Sequence, residues 1–590
     1  MQNESVFKQL KSHLRSGRKR LKNVTDPQVP RETEINNDEI NESVYNILLI
    51  TNRDSDNLGD LVIEACDISL IRTVMKNLGV PERRYRIISR GASMISRKYV
   101  ATKDEQLLET AIDLIKKVDV VFFGGAPMFN YSYQIFYERT AVTLELARKY
   151  NKPVIFSAMG IEKYDENDSR CQRLKKTLNF DCVRRITTRD DFDSLQKYVE
   201  NERIFTAQVA DPAVFCREVF EKFISEPKKR KKKKVGIFVL RSEGFKDSGI
   251  HFSREDAVHM WIGLIDELEK RGYDYTLLAN GHFDDEAFLD YLIREHDISS
   301  KKCVINLGSP EKLVEKISIY DAVISCRLHP SIISYSLQVP SLGIIWNSKV
   351  SQFYEAAGYA DRTFSITEAS PEKIVNKLDE IIGSKPERNP QFRMSVYNTM
   401  FDGLQEVLTE SGVIKKSKSP YTYEELLQNI VSYEGTSEKK KEKYMVRKLR
   451  RTYEGYNRLS MNESRFSVIY NSGSKSEHIT SSYDPSAGDI RRLESGSTEY
   501  RIRQKIVNDG MHRLEPNAFT YPDHVFKGWH MRIKNAGVWY WMMQDGSLCP
   551  SDHISKDSRK ILLNDADEIP VIKLGNLDVI VVEAVWDLAI

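Results

Sequence analysis

Long apolar runs and the patterns of several common kinds of site are absent from this 590-residue sequence. No stretch of about 18 apolar residues is present, which excludes a transmembrane helix, and the first residues, MQNES, lack the apolar region of a signal peptide. The seven cysteines contain no C-x-x-C pair, and the 11 histidines form neither H-E-x-x-H nor a cluster with cysteine. We therefore expect a reduced, cytoplasmic protein without a metal site or another cofactor.

An excess of charge of one sign is also missing. The 88 lysines and arginines nearly balance the 85 aspartates and glutamates, so the net charge of +3 argues against a dedicated nucleic-acid-binding protein. The sequence has no Walker A motif and no G-x-G-x-x-G, so neither of those two glycine-rich loops is available for nucleotide phosphates. What is present is a polar chain long enough for about three to four domains.

Apolar segments of strand length alternate with helical segments in two successive series. The first series, residues 45–225, begins with YNILLIT, and the second, residues 235–385, begins with VGIFVL. Because these strands do not alternate apolar and polar residues, they are predicted to be buried on both faces in parallel sheets flanked by helices. Residues 226–234 between them form a linker with seven consecutive basic residues, which repel one another. The prediction is an α/β fold in which two Rossmann-like domains face a cleft at the carboxyl ends of their strands.

Three further segments are predicted outside these two domains. Residues 1–44 form a polar N-terminal extension, and residues 386–460 form a highly charged helical segment that includes EKKKEKYMVRKLRR. Over residues 461–590, short strands with alternating polarity predict a small antiparallel, β-rich accessory domain. Its Trp529, Trp539, Tyr540 and Trp541 either form a β core or stack on sugar rings.

The most informative segment is AVISCRLHPSIISYSLQVP, residues 322–340. An apolar strand ends at Ser325, and a helix is predicted to begin near Pro330, which suits a first helical turn. Arg327 and His329 are therefore expected in a loop at the carboxyl edge of the sheet, beside a helix N-terminus. This combination suits a phosphate or carboxylate, with His329 able to donate or accept a proton. The alternative is that Arg327 pairs with a carboxylate and His329 merely caps the helix.

Other polar residues of the second domain also follow strands. Arg241 ends the strand VGIFVL, His282 follows the next strand, and Lys349 follows the strand that ends at Trp346. Several cations at one sheet edge suit a doubly anionic ligand, since such a ligand needs more than one of them. Each of these side chains could instead be an ordinary surface residue.

In the first domain the candidates lie in two turns. Asn57-Leu-Gly59-Asp60 separates the first strand from its helix, where Gly59 permits a tight turn and Asp60 either caps the helix or binds a polar acceptor. Gly124 and Gly125 follow the strand VVFF and would let a ligand approach the backbone closely.

Four of these motifs together resemble the polysaccharide pyruvyl transferase family. They are the N-L-G-D turn, VFFGGAP, Asp211-Pro-Ala213 and Ser325-Cys-Arg-Leu-His329, and they occur in the family's order within about residues 45–382. The family often has three glycines where this chain has GGA, and usually S-R-L-H without the additional Cys326. The resemblance implies two Rossmann-like domains arranged as in the B-type glycosyltransferases (GT-B), and it leaves the C-terminal β-rich domain outside.

The resemblance also implies a reaction. The enolpyruvyl unit of phosphoenolpyruvate would be transferred to a sugar, forming a pyruvate ketal with release of phosphate. By resemblance His329 is the general acid, and Arg327, Arg241 and Lys349 would bind the phosphate and carboxylate of phosphoenolpyruvate. The acceptor would be bound by the two turns of the first domain and by His282, namely by Asn57, Gly59, Asp60, Gly124, Gly125 and His282.

The expected acceptor is a sugar or lipid-linked oligosaccharide, the precursor of a cell-surface polysaccharide or exopolysaccharide. The protein would then act in the cytoplasm, at the inner face of the membrane, with a peripheral membrane contact or a polysaccharide-assembly partner. Two other functions stay open. One is a sugar-nucleotide-dependent GT-B glycosyltransferase, since Asp54-Ser-Asp56 mimics a D-x-D motif, and the other is a non-catalytic glycan-binding scaffold that uses the C-terminal tryptophans.

Overall fold

A computed structural model shows the protein as two compact units, one of residues 31–292 and 301–445 and one that is mainly residues 446–590. The residues that it describes are 44–131, 135–227, 230–246, 249–296, 298–438, 440–441, 444, 465–485, 489–493, 495–505, 511–535, 538–545, 547–554, 559–570 and 577–589. The predicted N-terminal extension, up to residue 43, and most of the basic stretch 438–451 lie outside them.

The first sheet of the larger unit is parallel, with its described strands in the order β2-β1-β3-β4-β5-β6. These strands are β1 (Tyr45–Thr51), β2 (Tyr85–Gly91), β3 (Val120–Gly124), β4 (Val154–Met159), β5 (Val183–Thr188) and β6 (Phe205–Gln208). All residues of β1 are buried. Ile47 and Leu49 belong to one apolar cluster and Leu48 and Ile50 to another, so the sheet is covered on both faces, as predicted.

The helices of this first domain connect its parallel strands. They are α1 (Leu58–Leu78), α2 (Arg97–Thr102), α3 (Glu109–Lys117), α4 (Phe136–Lys149), α5 (Ser169–Leu178), α6 (Phe192–Tyr198) and α7 (Cys216–Val219). Short 3-10 helices lie at Glu82–Arg84, Ala92–Met94, Glu105–Leu108, Pro212–Phe215 and Glu221–Phe223.

The second sheet of the larger unit is also parallel, with its described strands in the order β12-β11-β10-β7-β8-β9. These are β7 (Lys234–Phe238), β8 (Asp274–Leu278), β9 (Cys303–Val304), β10 (Ala322–Ser325), β11 (Ser341–Ile345) and β12 (Thr363–Ser365). Its helices are α8 (Ser242–Lys246), α9 (Arg254–Lys270), α10 (Phe283–Glu295), α11 (Pro310–Ser318), α12 (Leu328–Leu337), α13 (Ser348–Ala356) and α14 (Pro371–Ile381), with 3-10 turns at Ser300–Lys302 and Ala360–Arg362. The predicted fold class is confirmed in that both domains are α/β with a parallel, Rossmann-like sheet.

The described part of the predicted charged helical segment, residues 386–438, 440–441 and 444, belongs to the larger unit. Helix α15 (Pro390–Glu410) contributes Val396, Met400 and Leu404, which are spaced for one helical face, to the apolar cluster that also contains α1 residues. Asn77 of α1 donates a hydrogen bond to the Tyr397 hydroxyl at 2.9 Å. Helix α16 (Tyr423–Asn429) follows. The chain therefore returns to the first domain after leaving the second.

The smaller unit is β-rich, as predicted. Seven of its described strands form one large sheet in the order β15-β16-β13-β23-β19-β20-β21, and the other four form two pairs, β14-β18 and β17-β22. The strands are β13 (Arg465–Asn471), β14 (Thr480–Ser481), β15 (Asp489–Arg492), β16 (Thr498–Lys505), β17 (Met511–Arg513), β18 (Phe519–Thr520), β19 (His524–Asn535), β20 (Val538–Met542), β21 (Leu548–Pro550), β22 (Glu568–Pro570) and β23 (Leu577–Leu588), with a 3-10 turn at Ser551–His553. The prediction of an antiparallel domain was wrong in one respect, because the central strands β13 and β23 pair in parallel. Local alternation cannot show that pairing, since the two strands are more than a hundred residues apart.

Two of the four tryptophans of the smaller unit, Trp529 and Trp541, are buried. Trp529 is completely buried in the core and donates a hydrogen bond to Asp565 at 3.0 Å. Lys560 Nζ lies 3.5 Å from the ring centroid of Trp541, which is also buried, so a cation occupies one face of that ring. None of the helices within the described ranges is long and apolar enough to cross a membrane.

Candidate functional site

The candidate site lies at the carboxyl ends of β1 and β5 of the first sheet and of β10 and β11 of the second. Helix α12 begins at Leu328, two residues earlier than predicted, so His329 lies in its first turn and not in a loop. Arg327 is the N-cap residue, and its backbone N–H donates to the Ser325 hydroxyl at 3.0 Å. The helix includes Pro330 as its third residue, because a proline is tolerated throughout the first turn, where the N–H groups have no partner within the helix.

His329 packs directly on Gly59 of the first domain. A Cβ atom at Gly59 would lie 2.3 Å from His329 Nδ1, so only glycine leaves room for the imidazole. The predicted reason for Gly59, a tight turn, was therefore wrong, since this residue lies within helix α1 and its φ is not positive. The ring of His329 is buried, and its Nε2 has no hydrogen-bond partner.

Three cations act on His329. Burial is the largest cause that lowers the pKa of His329 well below its usual range, and Arg189, Lys349 and Arg327 lower it further in that order. The imidazole is therefore neutral in this state. A bound anion would offset the three cations and favour the protonated ring, which is what a general acid requires.

Arg189 follows β5 and comes from the first domain. Its Nη1 donates to the Gly125 carbonyl at 2.8 Å and to Asp211 Oδ2 at 2.5 Å, and its side chain is only 5% exposed. Its Nε has no hydrogen-bond partner. Sequence reasoning missed Arg189, although it follows a predicted strand in the same way as Arg241.

Lys349 reaches the same place from the second domain. It lies in the first turn of α13, and its Nζ is 3.4 Å from Asp190 Oδ2. Both Lys349 Nζ and Arg189 Nη2 come within 3.3 Å of the position that a Cβ atom at Gly160 would occupy, at 3.2 and 3.3 Å. The ion pair between Lys349 and Asp190 therefore joins the two Rossmann-like domains beside His329.

In the N-L-G-D turn, residues 57–60, the helix cap and the contacts differ from the prediction. Asn57, and not Asp60, is the N-cap of α1, and its Oδ1 accepts from the Gly59 N–H at 3.0 Å. The same oxygen accepts from Asn280 Nδ2 at 2.9 Å, while the Leu58 N–H donates to the Asn280 carbonyl at 2.8 Å. The turn thus binds a loop of the second domain.

Asp60 lies in the first turn of α1 and accepts a hydrogen bond from Asn52 at 2.8 Å. Burial is the main cause that raises the pKa of Asp60 to about 6, although Ser55, Arg189 and Asn52 favour its charged form. A carboxyl group with this pKa exchanges a proton near neutral pH.

Gly124 and Gly125 were predicted to let a ligand approach the backbone, but helix α1 occupies that space. A Cβ atom at Gly124 would lie 2.2 Å from Asp67 Oδ2, and one at Gly125 would lie 2.4 Å from Ile63 Cγ2. The pair allows close packing of a helix on the sheet, and the Gly125 carbonyl serves as an acceptor for Arg189.

Arg327 and Arg241 both pair with carboxylates, which is the alternative that the sequence left open for Arg327. Arg327 Nε donates to Asp285 Oδ2 at 2.7 Å, and Arg241 Nη2 lies 3.2 Å from Asp284 Oδ2. His282 Nδ1 is 3.8 Å from the same Asp284 oxygen. The structure therefore brings His282 together with Arg241, and it brings Arg327, Lys349 and Gly59 together with His329.

Two helices begin at this edge without a side-chain cap. Neither Arg327 at α12 nor Asn347 at α13 accepts a hydrogen bond from the first turn with its side chain. Trp346 Nε1 and Asn347 Oδ1 are buried without hydrogen-bond partners. Free N–H groups at helix N-termini and the unpaired indole N–H of Trp346 favour an anionic ligand, while the unpaired amide oxygen of Asn347 can accept a hydrogen bond from a hydroxyl group.

Comparison with models of protein families relates residues 9–348 to the family described as polysaccharide pyruvyl transferase. The chain belongs to this family. The match covers more than half of the sequence and includes Arg189, Arg327 and His329. A comparison with curated protein sequences found no match. As a member of the family, the chain adds the C-terminal β-rich unit beyond the matched range.

Solved structures that resemble this pyruvyl transferase family member include sugar-nucleotide enzymes of low sequence identity. The UDP-GlcNAc 2-epimerase of Methanocaldococcus jannaschii, in complex with UDP-GlcNAc and UDP, is 12% identical with a TM-score of 0.38, over 62% of this chain and 99% of the epimerase. The UDP-GlcNAc 2-epimerase of Neisseria meningitidis, bound to UDP-GlcNAc, is 10% identical with a TM-score of 0.36, over 62% and 99% of the two chains. A spinosyn rhamnosyltransferase complexed with thymidine diphosphate is 8% identical with a TM-score of 0.29, over 63% and 100%.

Proposed function

We propose that this protein transfers the enolpyruvyl unit of phosphoenolpyruvate to a sugar and forms a pyruvate ketal with release of phosphate. One observation carries the proposal beyond family membership. His329 has a buried imidazole with an unpaired Nε2, and the charges of Arg189, Lys349 and Arg327 all act on it and lower its pKa. A site of this kind suits a small anion that must accept a proton.

The donor would bind through its phosphate and its carboxylate. Arg189 and Lys349 approach each other at Gly160, and Arg327 stands at the N-terminus of α12. Arginine binds such groups through a planar fork of N–H donors, while the uncapped first turns of α12 and α13 add backbone donors. Arg241 would act through its place beside Arg327, since both approach Asp285.

The proposed reaction begins with protonation of the donor's methylene carbon by His329. This step makes the neighbouring carbon cationic, and a first sugar hydroxyl adds to it. The carbon–oxygen bond to phosphate then breaks, and a second hydroxyl of the same sugar closes the ketal. The two hydroxyl protons end on the new methyl group, by way of His329, and on the released phosphate, so that atoms and charges balance.

The acceptor would lie on the first-domain side of His329. Asp60 is next to Gly59, and its pKa of about 6 allows its carboxylate to accept a proton from a sugar hydroxyl near neutral pH. The acceptor proposed here is a sugar of a cell-surface polysaccharide precursor, which is lipid-linked where assembly occurs at the membrane. The exposed residues Arg230–Lys233 would then meet an anionic membrane surface at the cytoplasmic face.

The test uses the purified full-length protein with phosphoenolpyruvate and a panel of galactose- and mannose-type acceptors, with phosphate release as the signal. We expect phosphate release that depends on both substrates, and a product whose mass increases by the pyruvate ketal. We also expect His329→Ala to abolish turnover while phosphoenolpyruvate still binds. His259, an exposed histidine of α9, provides the matched control, and His259→Ala is expected to keep wild-type turnover.

Two results would contradict the proposal. Turnover of a nucleotide sugar without any phosphate release from phosphoenolpyruvate would favour the glycosyltransferase alternative. Near-normal turnover in His329→Ala would remove His329 from the chemistry, because another group would then have to supply the proton.

A further inference from the structure

The buried carboxylate of Asp285 contacts both Arg327 and Arg241 of the second domain. Its side chain is completely buried. Oδ2 accepts from Arg327 Nε at 2.7 Å and lies 2.6 Å from Arg327 Nη2. Oδ1 accepts from the Arg241 backbone N–H at 3.4 Å and lies 3.8 Å from Arg241 Nη1.

Asp285 and Trp346 together fix the guanidinium of Arg327. Asp285 contacts the Nε and Nη2 edge, and the guanidinium carbon lies 5.5 Å from the ring centroid of Trp346, over its face. A planar group that is held at one edge and at one face keeps a defined orientation. The ion pair is stable in the interior because the carboxylate, once buried, requires a cationic partner.

The neighbouring Asp284 has a lesser role. It contacts Arg241 Nη2 at 3.2 Å and is 30% exposed, and no contact between it and Arg327 occurs among the described residues. The two adjacent acids of α10 therefore differ in burial and in partners, which makes Asp284 a control for Asp285. Asp285 is buried and shared between two arginines, whereas Asp284 is partly solvated and serves Arg241.

We propose that Asp285 is a positioning residue of the donor site. It orients Arg327 beside His329 and holds Arg241 next to Arg327, without contacting the donor itself. This inference rests on the proposed function, since it assigns to Arg327 an anionic donor that needs the guanidinium in one orientation. Without the Asp285 carboxylate, Arg327 and Arg241 keep their charges, but their side chains are free to change orientation.

The experiment compares Asp285→Asn with Asp284→Asn in the full-length protein, measuring KM and kcat with phosphoenolpyruvate and the dissociation constant by calorimetry. For Asp285→Asn we expect KM and the dissociation constant to rise about tenfold to a hundredfold, since small misplacements of binding groups have effects of this size. Asp284→Asn is expected to change both by less than about threefold, in keeping with the smaller effect of a partly exposed ion pair. Asp285→Glu keeps the charge, so it should fold and show an intermediate effect.

A double-mutant cycle separates positioning from a general effect on the fold. If Asp285 acts through Arg327, Asp285→Asn should raise KM much less in an Arg327→Leu background than in the wild-type background. Fully additive effects, or a wild-type dissociation constant in Asp285→Asn, would overturn the inference. A crystal structure of Asp285→Asn, or of Asp285→Glu if the first variant does not fold, should show Arg327 displaced from Trp346. The crystal structure tests the orientation of Arg327 even if the wild type binds no phosphoenolpyruvate. A wild type that does not bind phosphoenolpyruvate would contradict the proposed function but not this role of Asp285.

Discussion

At the scale of single residues, the contact between Gly59 and His329 explains two sequence features at once. The glycine belongs to the N-L-G-D turn and the histidine to the S-C-R-L-H segment, which lie on different domains of the larger unit. A methyl group at position 59 would overlap the imidazole, so the glycine is needed for the position of His329 and not for its own backbone. The two motifs therefore form one site.

The pKa of His329 leads to a prediction for the pH dependence of the reaction. In the free protein, burial and the cations Arg189, Lys349 and Arg327 lower this pKa well below its usual range. Bound phosphoenolpyruvate should raise it, because its negative charges stabilise the protonated ring. A general acid is active below its pKa, so activity should fall as the pH rises. The limb in kcat/KM, which reports the free protein, should lie at lower pH than the limb in kcat, which reports the complex.

Steady-state pH profiles of the wild type and of His259→Ala, which should behave identically, check this prediction. Coincident midpoints in kcat and kcat/KM would show that the donor does not change the pKa of the general acid. An activity that rises with pH in both parameters would assign the proton donor to another group.

At the scale of elements, the buried strands were the most predictable part of the fold. β1 and β10 have the predicted bounds, because a short continuous run of apolar residues is typical of a strand that is buried on both faces of a parallel sheet. β12, with only three partly buried residues, was not predicted. Helix α12 begins at Leu328, before the predicted start near Pro330, because proline is tolerated at any position of the first turn and does not mark its first residue. The role of Asp285 could not be predicted either, since Asp284, Asp285 and Glu286 are adjacent acids, and tertiary packing decides that Asp285 and Glu286 are buried and that Asp285 pairs with Arg327.

Strand β5 allows a matched test of the arginine that sequence reasoning missed. Arg189 follows the strand and faces the site, whereas Arg185 of the same strand pairs with Glu406 of α15 at 3.0 Å. Arg189→Gln should weaken binding of phosphoenolpyruvate about tenfold to a hundredfold, since a hydrogen bond to a charged group contributes about 1.5–3 kcal/mol. Arg185→Gln should leave the dissociation constant unchanged.

Calorimetry with phosphoenolpyruvate provides the measurement, and thermal unfolding shows whether the loss of the buried partner of Asp211 has damaged the fold. Arg189→Lys keeps the charge but loses the planar fork, so an intermediate affinity is expected. Equal affinities of Arg189→Gln and Arg185→Gln would remove Arg189 from the donor site.

At the scale of the whole molecule, the proposed site belongs entirely to the larger unit. His329, Arg189, Lys349, Arg327 and Asp60 all lie within residues 31–292 and 301–445. Helix α15 belongs to this unit as well, and its Arg393 is completely buried, with Nη2 at 2.6 Å from Glu218. Removal of such a helix leaves Glu218 without that partner and exposes apolar residues of the shared core, which costs more free energy than a typical domain can lose.

Two truncations test this organisation. A chain that ends at Met445 should fold and bind phosphoenolpyruvate with the wild-type dissociation constant, because it keeps every residue of the proposed donor site. A chain that ends at Ile382 keeps those residues too but lacks α15, so it should be insoluble or should unfold at a much lower temperature. Calorimetry and thermal unfolding distinguish the two cases. If the chain that ends at Met445 folds but does not bind phosphoenolpyruvate, the smaller unit takes part in donor binding. If the chain that ends at Ile382 is as stable as the longer one, α15 does not contribute to the core of the larger unit.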